Sequence, residues 1–187
     1  MRLVGRGVFT RLWRRLRGTR TTAEFLARRD ASQPLRLHLG CGRDHWPGWV
    51  NVDADPAAGA DVTMDFRDIG LAFAPGSVAE VAMVHSLSYL RLWEARDLLT
   101  ALHRVMGPGA KLVLEFPDAA KCARHLLESN GDPAKALEAL RGLYAFGWTA
   151  EHLSRELEAV GFSGVTVGEP EHHDRRVWRD TRMEARR

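Results

Sequence analysis

The sequence is poor in cysteine and has no long apolar run. Its two cysteines, Cys41 and Cys122, lie far apart and form no CxxC pair, which argues against a zinc site and a disulfide framework. No apolar stretch approaches the roughly 18 residues of a membrane-spanning helix. The N-terminus lacks the apolar core and the small-residue cleavage site of a secretory signal. These absences predict a protein of a reducing, cytoplasmic compartment.

Two common nucleotide-binding signatures are also missing. In the stretch LHLGCGRDH, His45 stands where the third glycine of a dinucleotide-binding G-x-G-x-x-G would be. No Gly-Lys-Ser or Gly-Lys-Thr follows, which excludes a P-loop. What the stretch does contain is an apolar strand pattern that runs directly into Gly40 and Gly42. Such a loop could serve a tight turn or line a ligand site.

Short apolar runs alternate with helical patterns, which predicts a single α/β domain with a Rossmann-like, mostly parallel sheet. Strands are predicted near 35–39, 50–53, 61–64, 80–84, 110–115, 164–168 and 180–185. A helix is predicted between Tyr89 and Met106, ended by Gly107-Pro108-Gly109. Another begins at the N-cap Thr149 and stops at Gly161. Residues 117–146 are predicted to be helical with a break at 130–133.

The first three strands are joined by unusually short connections. Residues 43–49 and 54–60 can return the chain to the next strand, but neither is long enough for a helix. One face of the sheet is therefore predicted to be thinly covered. If each missing helix would bury roughly 400 Å² of apolar surface, about 10 kcal/mol per helix is absent as an upper estimate. Trp46, Pro47 and Trp49, the N-terminal helices, or a partner subunit in a homo-oligomer or other assembly are the candidates to cover it.

Residues 1–34 are predicted to form a basic helical arm in front of a domain spanning 35–187. Residues 1–30 contain nine arginines against two acidic residues. An apolar stripe at roughly helical spacing runs through the arginines: Val8, Phe9, Leu12, Trp13 and Leu16. Either the stripe packs on the domain while the arginines are solvated, or the arm binds an anionic membrane surface or nucleic acid.

The absence of a helix between the first two strands favours some nucleotide ligands over others. A dinucleotide needs that helix, because its N-terminal amides and dipole hold the pyrophosphate. S-adenosylmethionine carries no phosphate. Gly40 and Gly42 would let the backbone approach its methionine and ribose portions. Asp53, at the end of the second strand, could accept hydrogen bonds from both ribose hydroxyls, or it could cap the following turn. The residues thus predict S-adenosylmethionine as the cofactor.

The chain resembles the class I S-adenosylmethionine-dependent methyltransferases over about residues 35–185. The likeness is carried, in order, by "LHLGCG", "VNVDADP", "TMDFRD", "AFAPGSVAEVAMVHSLSYL", "MGPGAKLVLEFPD" and "WTAEHLSRELEAVGF". It is similar to a short subgroup with a compressed "GCG…PGWVNVD" opening, often associated with glycan or polysaccharide biosynthesis. The resemblance implies a seven-stranded sheet whose last strand is antiparallel and inserted beside the fifth.

The resemblance also implies roles for individual residues. Gly40, Cys41 and Gly42 would line the cofactor, and Asp53 would bind its ribose. Asp65 with Phe66 would lie at the adenine, a role for which Asp68 is the alternative to Asp65. His85 and Ser86 would lie beside the methionine portion. The chain departs from the family pattern at three places: His38, Arg43-Asp44 and Ser88-Tyr89. Cys41, read by itself, is typical of a small packed residue rather than a nucleophile.

Methyl transfer depends mostly on alignment, which can supply about 7–11 kcal/mol. A base would help with a hydroxyl acceptor, and His85 and Asp118 are the candidates. The predicted function is O- or N-methylation of a small, acidic or glycan-type acceptor; the alternative is a non-catalytic binding or scaffold protein. Near the C-terminus, His172 and His173 precede Arg175, Arg176, Arg179 and Arg182. This stretch could grip an acidic or phosphorylated substrate, bind a metal, or be a solvated loop.

Overall fold

A computed structural model describes residues 22–30, 32–141, 143–172 and 178–187 of the chain. Within them the chain forms a seven-stranded sheet in the order β3-β2-β1-β4-β5-β7-β6. The strands are β1 (Arg36–Leu39), β2 (Val50–Asp53), β3 (Val62–Thr63), β4 (Val78–Val84), β5 (Met106–Pro117), β6 (Ser163–Gly168) and β7 (Asp180–Arg186). The first five strands pair in parallel, and β7 lies antiparallel between β5 and β6. The predicted α/β class and mostly parallel sheet are confirmed.

The helices are α1 (residues 22–28), α2 (Ile69–Ala72), α3 (Leu92–Val105), α4 (Ala119–Leu127), α5 (Pro133–Leu140) and α6 (Ala150–Val160). The predicted ends of α6 are confirmed: the Thr149 hydroxyl accepts from the His152 amide at 3.2 Å, and Gly161 has a φ of 109°. Asp118 and Asp132 cap α4 and α5. In the part of the chain that the structure describes, no helix is long and apolar enough to cross a membrane.

The predicted helix between Tyr89 and Met106 is confirmed as α3, but the strand that follows it begins earlier than the predicted residue 110. Helix α3 ends at Val105, and Met106 already belongs to β5, which continues through Gly107-Pro108-Gly109. The pairing of β4 with β5 shifts register between Val78 and Glu80, opposite the start of this stretch. Glycine and proline mark an irregularity inside a strand as readily as the end of a helix, and the sequence alone does not separate these two cases.

The two short connections contain no α-helix, as predicted. Residues 43–49 form turns, and residues 54–60 contain one 3-10 turn, Pro56–Ala58. Before β1, α1 places Phe25 and Leu26 against the core, and the Thr22 hydroxyl lies 3.8 Å from the sulfur of Met64. The predicted apolar stripe of residues 8–16 lies outside the described residues.

One face of the sheet carries the hydrophobic core. Its strand residues are almost inaccessible to solvent: Leu37, Leu39, Val50, Val52, Val81, Met83, Leu112, Leu114 and Phe116. Helices α3 and α6 contribute buried side chains to the same core, among them Leu98, Leu102 and Leu153. Because successive strand residues point to opposite sides, the residues between these positions form the other face.

We call that other face the polar face. Its residues are Arg36, His38, Asn51, Glu80, Ala82, Lys111, Val113, Glu115, Arg182 and Glu184, and their register places them side by side. Trp46, from the connection after β1, stacks on His38 at 4.0 Å and on His172 at 4.2 Å between ring centroids. Trp49 meets Trp46 edge-on at 5.1 Å. Aromatic rings thus stand where the missing helices would lie.

Candidate functional site

Close packing explains why Gly40, the first glycine of the loop after β1, is a glycine. The Gly40 and Cys41 amides both donate to the Val52 carbonyl of β2, at 2.8 and 3.2 Å. Gly40 has a φ of 70°, and a Cβ there would lie 2.4 Å from Cβ of Ser86 and 3.3 Å from the ring of Phe66. A larger residue would clash with the end of β4. Gly40 therefore lets β1, β4 and the Phe66 turn meet closely.

Gly42 has a different reason to be glycine. Its φ is 55°, and no atom of the described residues lies within 4 Å of where its Cβ would be. Its amide donates to Oδ2 of Asp53 at 2.8 Å, while Oδ1 of Asp53 accepts from the Asp55 amide at 2.8 Å. The Asp53 carboxylate thus holds the glycine loop and caps its own turn. Each carboxylate oxygen keeps a second lone pair for a further hydrogen bond.

Phe66 and Asp65 follow β3 and lie in different surroundings. The Phe66 ring borders Gly40. The Asp65 carboxylate caps the 3-10 turn Phe66–Asp68 and pairs with Arg67, whose Nε lies 2.9 Å from Oδ1 and 3.0 Å from Oδ2. The structure therefore brings Phe66 to the glycine loop and engages Asp65 with Arg67. The adenine role of both residues stays a prediction.

Cys41 and Ser86 are buried beside the loop. Burial, with the nearby Asp53 charge, raises the pKa of the Cys41 thiol to about 11, so the group is a neutral thiol at physiological pH. The Ser86 hydroxyl donates to the Leu39 carbonyl at 2.8 Å. Ser86 thereby ties the end of β4 to the end of β1, next to Gly40.

His85 is held in place by residues from two other strands. It adopts a left-handed φ of 58°, and its amide donates to the Glu115 carbonyl at 2.8 Å. Its Nε2 lies 2.7 Å from Oδ2 of Asp180, while Arg179 donates from Nε to Oδ1 of Asp180 at 2.7 Å. Lys121 donates to the Asp180 backbone carbonyl at 2.7 Å. A strained, non-glycine conformation at a strand end is typical of a functional position.

Asp180 is fully buried. Burial alone would raise its pKa, but the hydrogen bonds from His85 and Arg179 outweigh burial and hold that pKa below its ordinary value. Asp180 is therefore a carboxylate that fixes the orientation of the His85 imidazole through Nε2. Our sequence analysis missed this residue. The antiparallel last strand places Asp180 in register with Pro117, at the carboxyl end of β5. This position could have identified Asp180 as a site residue.

Asp118, the other predicted base, serves as a structural cap. Its carboxylate accepts from the amides of Ala120 at 2.8 Å, Lys121 at 3.3 Å and Ala150 at 3.0 Å. It joins the start of α4 to the start of α6. The catalytic role of Asp118 stays a prediction.

The basic stretch near the C-terminus does not form a solvated patch where it is described. Arg179 is bound to Asp180, and Arg182 is bound to Glu115, both in buried pairs. The imidazole of His172 lies 2.8 Å from the Glu115 carboxylate. His173, Arg175 and Arg176 lie outside the described residues. Among the residues that the structure describes, no group of histidine, cysteine and acidic side chains could hold a metal ion.

The fold is shared with solved methyltransferases. A methyltransferase from Archaeoglobus fulgidus, described as S-adenosylmethionine-dependent, is 13% identical with a TM-score of 0.62, covering 92% of this chain and 94% of that one. A possible histamine N-methyltransferase from Thermotoga maritima is 11% identical with a TM-score of 0.59, over 96% and 95% of the two chains.

Phosphoethanolamine N-methyltransferase 2 from Haemonchus contortus, solved with S-adenosyl-L-methionine, is 11% identical with a TM-score of 0.59. The match covers 90% of this chain and 52% of the Haemonchus protein. No protein-family model and no curated protein sequence matches this chain. At these sequence identities the comparisons show a methyltransferase-like, Rossmann-type fold. The activity has to be argued from the residues of the site.

Proposed function

We propose that the protein binds S-adenosylmethionine at the carboxyl ends of β1, β2 and β4 and transfers its methyl group to an oxygen or nitrogen of a small acceptor. The observation that carries this proposal is the pairing of Gly42 with Asp53. An open, left-handed glycine next to a carboxylate with unused lone pairs suits a ribose and a methionine backbone, and it provides no phosphate cradle.

The residues present fit the cofactor in their chemistry. Asp53 would accept from the ribose hydroxyls, and Phe66 would offer an apolar surface near Gly40. Ser86 and His85 directly follow β4, and an acceptor would bind beside His85. When bound, S-adenosylmethionine supplies a methyl group already activated by the positive charge on its sulfur.

His85 would act as the proton acceptor. Its Nε2–H, donated to Asp180, leaves the lone pair of the imidazole on Nδ1, the nitrogen that would take the proton. An acceptor hydroxyl or amine would form its bond to the methyl carbon as the carbon–sulfur bond breaks, and its proton would pass to His85. The Asp180 carboxylate would stabilise the imidazolium. Asp180 and Arg179 are positioning residues in this scheme.

The acceptor class is proposed from the charges around His85. We expect a small acidic or glycan-type molecule, as the sequence suggested, because the Lys121 ammonium donates to the backbone carbonyl of Asp180, the residue that holds His85, and brings a positive charge to this end of the sheet. A non-catalytic binding protein remains the alternative, and it predicts cofactor binding without turnover.

Calorimetry with S-adenosylmethionine tests the cofactor site. The intact protein should bind it, and Asp53→Ala should weaken binding about tenfold to a hundredfold, because a hydrogen bond to a charged group contributes about 1.5–3 kcal/mol. Asp55→Ala is the matched control, since Asp55 only caps the neighbouring turn. Equal affinities in the two variants would refute the ribose assignment.

The catalytic half of the proposal needs turnover on an acceptor found by screening small carboxylates and sugars. His85→Asn should then lower kcat with little change in KM for the cofactor. Asp180→Asn should lower kcat and shift the pH profile, because it removes the charge that stabilises the imidazolium. A pH profile unchanged by both substitutions would remove His85 from the mechanism.

A further inference from the structure

Large apolar side chains that face solvent gather in two segments of the chain. Among the described residues eight such side chains are more than half exposed, and six of them lie either after β4 or between β5 and α6: Tyr89, Trp93, Leu127, Leu137, Leu140 and Tyr144. None of the six takes part in the proposed methyltransferase site. We call the set Leu137, Leu140, Tyr144, Tyr89 and Trp93 the exposed stripe.

Helix α5 turns its leucines away from the protein. Ala139 is its one buried residue, whereas Leu137 and Leu140 are 56% and 51% exposed. At about 100° per residue, Leu137 lies about 160° around the helix from Ala139. The neighbouring helix α4 likewise leaves Leu127 81% exposed. A surface helix normally buries its leucines, so this inverted pattern indicates that the outer face of α5 contacts something apolar.

A stacked pair of tyrosines continues the exposed stripe from α5 to the segment after β4. Tyr144 follows Leu140 by four residues, and its ring stacks on the ring of Tyr89 at 4.2 Å between centroids. The Ala145 amide donates to the Ser88 carbonyl at 3.0 Å, which fixes the two segments side by side. The hydrogen bond with Tyr144 raises the pKa of Tyr89 to about 12, so Tyr89 is uncharged at physiological pH.

The two segments that carry the tyrosines are basic. Residues 81–93 and 139–150 contain no acidic residue, and each contains one exposed arginine, Arg91 and Arg141. The one acidic residue of α5, Glu138, lies about 100° around the helix from Leu137, on its flank. Positive charge therefore accompanies the apolar side chains, and it favours a partner that is both apolar and anionic.

We propose that the exposed stripe docks on an anionic lipid bilayer, with the leucines of α5 among the upper acyl chains and the aromatic rings at the headgroups. Tyrosine and tryptophan have an apolar body and a polar tip, which suits them to that layer. The Arg91 guanidinium carbon lies 5.3 Å from the centroid of the Trp93 ring, which brings a phosphate-binding group to the same level.

A bilayer also explains why the two arginines belong to separate segments. An anionic bilayer presents negative charge at every position, so it matches both arginines without a specific register, whereas a protein partner would need a carboxylate opposite each one. The inference does not depend on methyl transfer.

Binding of the intact protein to vesicles tests the proposal. The chain has two tyrosines, Tyr89 and Tyr144, so fluorotyrosine labelling gives two ¹⁹F signals that both report on the exposed stripe. With vesicles of phosphatidylcholine and about 30% phosphatidylglycerol we expect co-sedimentation, and nitroxide-labelled headgroups should broaden both signals. Vesicles of phosphatidylcholine alone should bind at least about tenfold more weakly, because the attraction to the arginines is lost.

The double variant Leu137→Ser, Leu140→Ser should weaken partitioning into the anionic vesicles at least about tenfold, because two apolar side chains no longer leave water. The matched control is Leu71→Ser on α2, which removes a leucine that is 62% exposed and lies outside the exposed stripe. This control should bind like the natural protein.

Thermal melts show whether the double variant remains folded; if it does not, Arg91→Gln with Arg141→Gln replaces it and should also weaken binding, with the exposed Arg155→Gln on α6 as control. Three results would overturn the proposal: no co-sedimentation up to about 1 mM anionic lipid, equal binding of the stripe and control variants, or sharp ¹⁹F signals in the vesicle-bound protein. Loss of S-adenosylmethionine binding would refute the proposed function and leave this test intact.

Discussion

The two faces of the sheet are made by the same strands and differ in almost every chemical respect. On the core face, Leu112 and Leu114 of β5 are inaccessible and pack among other apolar side chains. On the polar face, Lys111 and Glu115 of the same strand form ion pairs with β7. Parallel sheets usually bury both faces under helices, and their strands read as continuous apolar runs. In this protein apolar and polar residues alternate along the strands, so one face can lack the two helices that would usually cover it.

The polar character of this face lowers the loss of stabilisation that we ascribe to the two short connections. The figure of about 10 kcal/mol per missing helix assumed an apolar face that would be left exposed. The face instead carries charged pairs and is covered in part by the stack of His38, Trp46 and His172. Apolar exposure therefore does not require a partner subunit there, and the predicted assembly stays a prediction.

The largest expected effect compares adjacent residues of β5. Leu112→Asn puts an amide in the core and should cost about 5 kcal/mol or more, enough to leave little folded protein. Val113→Asn puts the same amide on the polar face, in register with Glu184, and should cost about 2 kcal/mol, because a carboxylate there can accept its hydrogen bond. Urea denaturation of both variants measures the difference. Equal costs would mean that the two faces are energetically alike.

The second effect concerns the buried carboxylate of the polar face. Glu115 accepts from the Glu171 and His172 amides and pairs with His172 and Arg182. Burial would raise its pKa, but these hydrogen bonds hold the pKa below its ordinary value. Its contribution to stability is thus present above the usual carboxyl pKa and is lost as the pH falls through the lowered value.

Glu115→Ala should therefore cost about 3–5 kcal/mol near neutral pH, because it leaves buried partners unpaired. The double variant Glu115→Ala, Arg182→Met should recover part of this loss. A single-variant cost below that of an exposed pair would contradict the view that Glu115 organises this face. Denaturant titrations at pH 7 and at pH 4 measure the loss in free energy of unfolding and how this loss depends on pH.

The third effect is the pH dependence of stability. Burial lowers the pKa of His38 to about 4 from the ordinary 6.5. Below pH 6.5 the unfolded chain takes up a proton that the folded chain refuses until about pH 4, so His38 makes stability fall on acidification over this range. The full loss is about 3 kcal/mol.

His38→Phe, which keeps an aromatic partner for Trp46 and cannot titrate, should flatten the stability curve between neutral pH and pH 4. His45→Phe is the control for an exposed histidine. If the two variants show the same pH dependence as the natural protein, His38 is solvated in solution.

The smallest effect is expected for the half-exposed pair of Lys111 and Glu184. Lys111→Gln should change the free energy of unfolding by less than about 1 kcal/mol and less still in high salt, because partly exposed ion pairs contribute little. A larger, salt-independent loss would show that the pair is desolvated.

Local signals predicted much of the fold. The strands, the caps of α6 and the short connections were all readable from spacing and from turn residues. The alternation of Arg36-Leu37-His38-Leu39, and of Lys111-Leu112 and Glu115-Phe116 in β5, was visible too and would have predicted a second face with polar side chains. The thinly covered face was instead predicted from the lengths of the two connections.

The pairings behind the site could not be read in the same way. His85 meets Asp180, and Glu115 meets Arg182, across 95 and 67 residues of chain. Such contacts depend on strand order and register, which spacing within one segment does not determine. The two glycines of the loop also look alike in sequence, although one is required by its neighbours and the other opens outward.

The location of cofactor binding can be measured on the whole chain at once. Amide shifts in a ¹H–¹⁵N spectrum should respond to S-adenosylhomocysteine at Gly42, Asp53, Phe66 and Ser86, along the carboxyl edge of the sheet. Glu80, Lys111 and Glu184 on the polar face should stay unchanged. Shifts confined to the polar face, or none at about 1 mM ligand, would contradict the proposed methyltransferase site.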